Sequence, residues 1–409
     1  MLLFVACTPT APPDVRVELD SNVGTIAIVE WETPTSTVGS VRTPDGRATP
    51  DSSGTTHRHV VFGLADDTTH ELAVLVDGED ATTVSVRTRA APDSVPSFTL
   101  ERGTWHGWAV ASYQDLAASV AGIVVVNERG ERVWWHEIVA GQDSEYGTTA
   151  LWDGGSIWFN AVSFRGAAIR VIDIMTGDVE EAWYPNVHHE FALLPDRQLA
   201  MLRSSAREVD GETILGDQLV TGTFGDPEPR IVWDAWDTLE PERHPAWDSL
   251  EHGKDWTHAN GLTFDPTTGR WIVSLYWLKM VLAIDDASGD IVATLDGDEV
   301  ADPFGPQHSP EISGDGILLF DNELIDGRSR LLDIGWDGAT RWSWAPDIEE
   351  HALVLGDVDR LADGTTVSSW GPSGMIVALS PESEEVWRVQ AESGYILGQV
   401  DVTDTVDLR

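Results

Sequence analysis

At 409 residues the chain exceeds one ordinary core and suits two domains. With 42% hydrophobic and 23% charged residues it is not a disordered polyelectrolyte. Its 69 acidic residues against 25 basic ones, of which only Lys254 and Lys279 are lysines, give a net charge of −44; this excludes nucleic acid as a natural partner and leaves any anion site dependent on local donors. The single cysteine, Cys7, excludes an internal disulfide and a cysteine-rich metal site.

Residues 1–14 open with a short apolar run ending in Ala6-Cys7, followed by the Pro/Thr-rich tether TPTAPPD. A small residue before cysteine after an apolar run matches the end of a bacterial lipoprotein signal, although the basic start is missing. The expectation is lipid attachment at Cys7 and a place in the bacterial cell envelope or periplasm; the plain alternative is an incidental apolar start. No other stretch reaches about 20 apolar residues, so membrane contact is expected only through that lipid.

Residues 15–90 alternate apolar and polar positions between turns, as in Val15–Leu19, Thr25–Val29, His59–Phe62, Glu71–Val76 and Thr83–Arg87. Period-2 patterning at this spacing predicts a small immunoglobulin/fibronectin-III-like β-sandwich, with His57, His59 and His70 on its surface. Residues 91–97, with Pro92 and Pro96, read as a linker.

From 98 to 409 a longer unit repeats: an apolar strand, an Asp/Gly turn, further strands, and a closing strand. The closing strands are Arg132–Trp135, Glu181–Tyr184, Ile231–Trp233, Ile291–Leu295, Arg341–Trp344 and Glu385–Val389. Six units of about 40–70 residues without helical periodicity predict an all-β, six-bladed β-propeller, with 19 tryptophans packing between blades. Either Phe98–Tyr113 or Tyr395–Val406 is expected to close the ring.

An aspartate stands at the turn after the first strand in five units: Asp153, Asp196, Asp265, Asp315 and Asp363. Seven residues before them lie Tyr146, His189, His258, His308 and Gly356. First strands line a propeller's channel, so the three histidines are expected to converge there. Asn260, two residues after His258, shares its strand face. Three imidazoles could ligate zinc or copper, hold an oxyanion, act as nucleophile or acid–base, or bond neighbouring backbone. The acidic turns at Asp285–Asp290 and Asp296–Glu299 could hold calcium, but Asp/Gly turns recur in blades for conformational reasons.

His188-His189-Glu190 before a Leu-Leu-Pro-Asp turn, Asp255-Trp-Thr-His-Ala-Asn260, and Gln307-His308 before Gly316-Ile-Leu-Leu-Phe-Asp-Asn322 resemble, in that order, the bacterial arylsulfotransferases. The resemblance runs over roughly residues 98–390. It implies a cofactor-free enzyme that moves a sulfuryl group from an aryl sulfate to a phenolic acceptor through a sulfohistidine, without a nucleotide donor. By motif, His308 is the nucleophile, and His189, His258 and Asn260 hold the sulfuryl oxygens. His188, Tyr146 and Tyr276 join Asn260 as candidate substrate-binding residues, and no metal is implied.

Two positions depart from the family pattern. Tyr276 stands where the family carries arginine, and Ser309-Pro310 where it usually has Asp-Ala. A tyrosine offers one hydrogen bond but no charge and no bidentate fork. Lys279 is expected on the opposite strand face from Tyr276, while Arg165, Arg170 and Arg203 are candidate sources of charge. The alternative function is a diverged, inactive propeller binding a ligand or protein through its channel. Donor, acceptor and oligomeric state are left open by the sequence.

Overall fold

A computed structural model describes residues 12–403, apart from 116, 139–145, 164, 242–248, 251–252, 323–326 and 348–350. Cys7 therefore lies outside the described residues.

Strands Val15–Leu19, Ala27–Arg42, Ser52–Val61, Thr69–Val76 and Glu79–Arg87 form one antiparallel sheet. The long strand Ala27–Arg42 pairs with Ser52–Val61 along most of its length and with Thr69–Val76 at its end, with a register break between Glu32 and Thr37. That break lets one strand serve both sides of a curled sheet. Val29, Trp31, Val41, Val61, Leu72 and Val74 fill the space between.

His57, His59 and His70 are buried here, not on the surface: they are 0%, 4% and 9% exposed. Along Ser52–Val61, strand alternation puts His57 and His59 on the inward face with Val61. Both rings stack on Trp31, and Ser52 Oγ lies 2.9 Å from His57 Nδ1 and from His59 Nε2. Burial, and next the His57 ring, hold His59 below the ordinary imidazole value.

The other described strands form six further sheets in succession, antiparallel but for a short parallel pairing of Ile214 and Leu215 with Lys254 and Asp255. Each begins with one of the strands Ala150–Asp153, Val187–Leu194, Ala259–Asp265, Gln307–Ser313, Asp357–Arg360 and Ile396–Thr403. From Val187–Leu194 onward each strand of this series touches the next, Ile396–Thr403 also meets Ala150–Asp153, and Val187–Leu194 meets Ser156–Ser163 of the sheet that Ala150–Asp153 begins, so the series closes on itself. Each closing strand expected from the repeat pairs with the third strand of its sheet. All five repeat aspartates stand at the end of the first strand or in the turn after it.

Closure uses both chain ends. Ile396–Thr403 pairs with Trp108–Asp115 as first strand of its sheet, and Phe98–Gly103 pairs with the closing strand Glu385–Ala391. Pairing first with last segments removes two open edges, each a row of unpaired backbone groups. Tryptophans bridge adjacent sheets because a large ring buries apolar area while its N–H still needs an acceptor. Trp134 donates to the Ile174 carbonyl and Trp387 to the Glu128 carbonyl, both from fully buried positions.

Candidate functional site

The first strands bring His189, His258 and His308 to one end of the series. The His189 and His258 rings meet edge to face with centroids 4.6 Å apart. Tyr276 lies between His258 and His308, at 5.4 and 5.3 Å. Beside them a cavity of about 20 Å³, room for about one water, is lined by Thr148, Glu190, Asn260, Ser309, Gly356 and Gln399 among others, with His189 and His308.

The strands do not run smoothly through this end. Register breaks fall between His188 and Phe191, between Ala259 and Gly261, and between His308 and Glu311. His189, His258 and Ser309 have φ of 51°, 51° and 44°. Left-handed backbone at a residue with a Cβ costs about 1–2 kcal/mol, and bulges with such residues re-aim side chains. The third positive φ falls one residue after His308, so the repeat register and the backbone kink are offset in that unit.

Each histidine is fixed by a second residue. Asp255 accepts from the His258 backbone N–H at 3.0 Å and lies 2.5 Å from its Nδ1. Asn322 Oδ1 lies 2.7 Å from His308 Nδ1. Asn322 Nδ2 donates to the carbonyls of Ala352 and Leu355, so its oxygen is the atom facing His308 and the ring carries Nδ1–H. The lone pair of His308 is then on Nε2. Burial is the main cause, opposed by the Asn322 hydrogen bond and aided by His258, that pushes His308 down to about 4; the ring is neutral at physiological pH.

His188 sits behind the site: its Nε2 lies 2.9 Å from Asp217 and its Nδ1 2.8 Å from His189 Nδ1. Asn260 lines the cavity with its amide locked, donating to the Gln307 carbonyl and accepting from Ser274. Tyr146 bridges Val162 through its backbone and packs into the apolar cluster of Trp158, Val162 and Phe191. Tyr276 follows the strand Arg270–Leu275 and donates from its hydroxyl to the Leu353 carbonyl at 2.7 Å.

Three of the cations considered from sequence, Lys279, Arg170 and Arg203, have partners outside the residues that line the cavity. Lys279 lies in the turn after Leu275, not on a strand face as expected, and pairs with Asp298. Arg170 pairs with Glu181, and Arg203 donates twice to Gln218. None of the described residues lining the cavity is arginine or lysine. The acidic turns considered for calcium use Asp285 and Asp296 to accept backbone N–H groups of Ser288 and Asp298.

Sequence reasoning missed a set of carboxyls. Glu190, Glu311, Asp357, Asp359 and Asp401, on four of the first strands, are close enough to raise one another's proton affinity. Burial first, then neighbouring carboxyls, pushes Glu311 up to about 8; burial also lifts Asp357 and Asp401 to about 6. The only signal was Glu190 beside His189. Asp255 was visible three residues before His258, but nothing local marked Asp217 or Asn322 as partners.

No curated protein matches the sequence. Among solved structures, one from a nidogen/laminin complex is 10% identical with a TM-score of 0.47, covering 73% of this chain and all of that one. Virginiamycin B lyase from Staphylococcus aureus is 12% identical with a TM-score of 0.39, covering 89% and 99%. AztD from Citrobacter koseri is 10% identical with a TM-score of 0.39, covering 91% and 100%. These likenesses are too distant to argue from. The family model described as arylsulfotransferase (ASST) matches residues 117–332, which hold all three channel histidines. That span is more than half of the 409 residues, and the chain belongs to the arylsulfotransferase family.

Proposed function

We propose that this protein transfers a sulfuryl group from an aryl sulfate to a phenol by a two-step reaction through a sulfohistidine at His308. The observation that carries the reading is the His308–Asn322 pair: a neutral, buried imidazole whose proton is held on Nδ1 and whose Nε2 is left to a cavity shared with His189 and Asn260. In the first step Nε2 attacks sulfur, an N–S bond forms, and the S–O(aryl) bond breaks with its electron pair leaving on the phenolate. In the second step the acceptor phenol oxygen attacks sulfur and the N–S pair returns to Nε2. The proton the acceptor loses balances the one the departing phenolate gains.

By motif His189, His258 and Asn260 hold the sulfuryl oxygens; His189 and Asn260 line the cavity, and the His258 ring meets that of His189. With no arginine among the described residues lining the cavity, hydrogen-bond donors aimed at the transferring group take a larger share of transition-state stabilisation. The frame around the site is read here as a six-bladed β-propeller over 98–409, with residues 15–90 as a sandwich-like domain joined by the 91–97 linker. Lipid attachment at Cys7 in the cell envelope belongs to the same reading; labelling with a tritiated fatty acid tests it, with Cys7→Ser as control.

The test is release of a chromogenic phenol from its sulfate ester, with and without a second phenol, on the wild type and His308→Ala. Acceptor-stimulated release that the substitution abolishes is the expected outcome. Release that survives His308→Ala overturns the role of His308.

A further inference from the structure

We propose that Asp217 and His188 act as a positioning pair that fixes His189 as an Nε2–H donor toward the cavity. The purpose of this relay rests on the sulfuryl-transfer reading; its geometry does not.

Asp217 is 2% exposed, and one of its oxygens accepts from Thr257 Oγ1 and from the Ala259 backbone N–H, both at 2.6 Å. The other lies 2.9 Å from His188 Nε2. Three donors around one buried carboxyl favour the carboxylate, and a carboxylate can only accept, so His188 Nε2 carries a proton. His188 Nδ1 in turn lies 2.8 Å from His189 Nδ1. Two ring nitrogens at that distance need one N–H and one lone pair.

If His188 is an imidazolium, it donates to His189 Nδ1. His189 then keeps its single proton on Nε2, the nitrogen left for the cavity it lines. If His188 is neutral, its Nδ1 has only a lone pair, His189 must donate backward, and Nε2 becomes an acceptor that repels a sulfuryl oxygen. The charge on His188 therefore selects whether His189 can stabilise the transferring group.

The surroundings favour the first arrangement. Burial opposes charge on His188, but the attraction and hydrogen bond of Asp217, with Asp255 beyond, lift it above the ordinary imidazole value. Burial likewise works against the Asp217 charge, yet His188, Thr257 and Ala259 bring that carboxyl below its ordinary range. Burial, and next His258, His188 and His308, hold His189 well below it and keep that ring neutral.

The experiment is long-range ¹H–¹⁵N NMR on the full chain labelled at histidine, on wild type and Asp217→Asn, with a pH profile of phenol release in a single turnover of aryl sulfate. In the wild type near pH 7 the expected spectrum shows His188 protonated on both nitrogens and His189 neutral with its proton on Nε2. In Asp217→Asn, His188 is neutral and His189 loses the Nε2–H form.

The rate of the first step is expected to have an alkaline limb above the ordinary imidazole value in wild type. That limb moves down by about two pH units in the variant, and the rate at pH 7 falls about tenfold. A purely structural role for Asp217 lowers stability without moving the limb. Titration of the wild-type His188 signals serves if Asp217→Asn does not fold; His188 is expected to stay protonated on both nitrogens to a pH above the ordinary imidazole value. A wild-type His189 protonated on Nδ1, His188 signals that Asp217→Asn leaves unmoved, or a wild-type His188 already neutral below that value, overturns the proposal. Correct tautomers in a protein without turnover leave the relay standing and remove the transfer reading instead.

Discussion

Asn322 decides which nitrogen of His308 keeps its lone pair: with its amide nitrogen held by two carbonyls of the 352–355 segment, its oxygen meets Nδ1 at 2.7 Å. Two consequences of this arrangement can be measured through pH. A neutral nucleophile held down to about 4 keeps working where an ordinary histidine is already charged. The acid limb of kcat/KM for the aryl sulfate is therefore expected near pH 4, well below 6.5. Asn322→Asp keeps an acceptor but places a negative charge beside the ring; it is expected to raise the limb toward neutrality. A wild-type limb at 6.5, unmoved by Asn322→Asp, contradicts the assignment.

Tyr276 occupies the family's arginine position, between the rings of His258 and His308. Tyr276→Arg places a cation beside the transferring group, and kcat/KM for the aryl sulfate is expected to rise by about tenfold or more. Tyr276→Phe removes the donor to Leu353 and is expected to cost about 1 kcal/mol in thermal or urea unfolding with a much smaller effect on turnover. Equal activity of the wild type and the arginine variant shows that charge at this position is not limiting.

Glu311 links the channel carboxyls to stability. With its value raised to about 8, the folded state holds a proton at pH 7 that the unfolded state has lost. A group of this kind makes stability fall as pH rises from about 4.5 through 8. Between about pH 7.5 and 8.5 the depressed His189 and His308 are almost neutral whether folded or not and add little opposing slope, whereas the lifted His188 adds to it with the same sign. The Tm is expected to drop across this window, and to drop less in Glu311→Gln. Calorimetry at four pH values checks it; parallel curves for the two proteins assign the slope to other groups.

Gly356 stands in the fifth register position, next after the three channel histidines, and has φ of 106°. A Cβ there would come within 2.4 Å of the Phe320 ring, which is fully buried. Gly356→Ala is expected to destabilise the fold by about 2 kcal/mol or more, since both the backbone and a packed aromatic ring resist it. Urea unfolding within about 0.5 kcal/mol of wild type shows that the Leu355–Gly356 backbone can relax.

Strand alternation, the aspartate after each first strand and the Trp-bearing closing strands are local patterns, and the sequence by itself determined them. The same repeat placed His189, His258 and His308 on equivalent strands, because a blade's first strand is the one nearest the axis wherever it lies in the chain. It also showed Tyr276 in place of arginine, which needs only a count along one strand.

Tertiary structure alone decided what those side chains meet. Asp217 lies on a middle strand 29 residues from His188, and Asn322 14 residues beyond His308; both pairings exist only because strands cross back in register. The burial of His57 and His59, the gathering of Glu190 with Glu311 and Asp357, and the joint use of both chain ends to close the series follow from long-range contacts. Period and turn chemistry are set by neighbours in sequence, whereas protonation and tautomer are set by whichever groups the closed ring brings within about 3 Å.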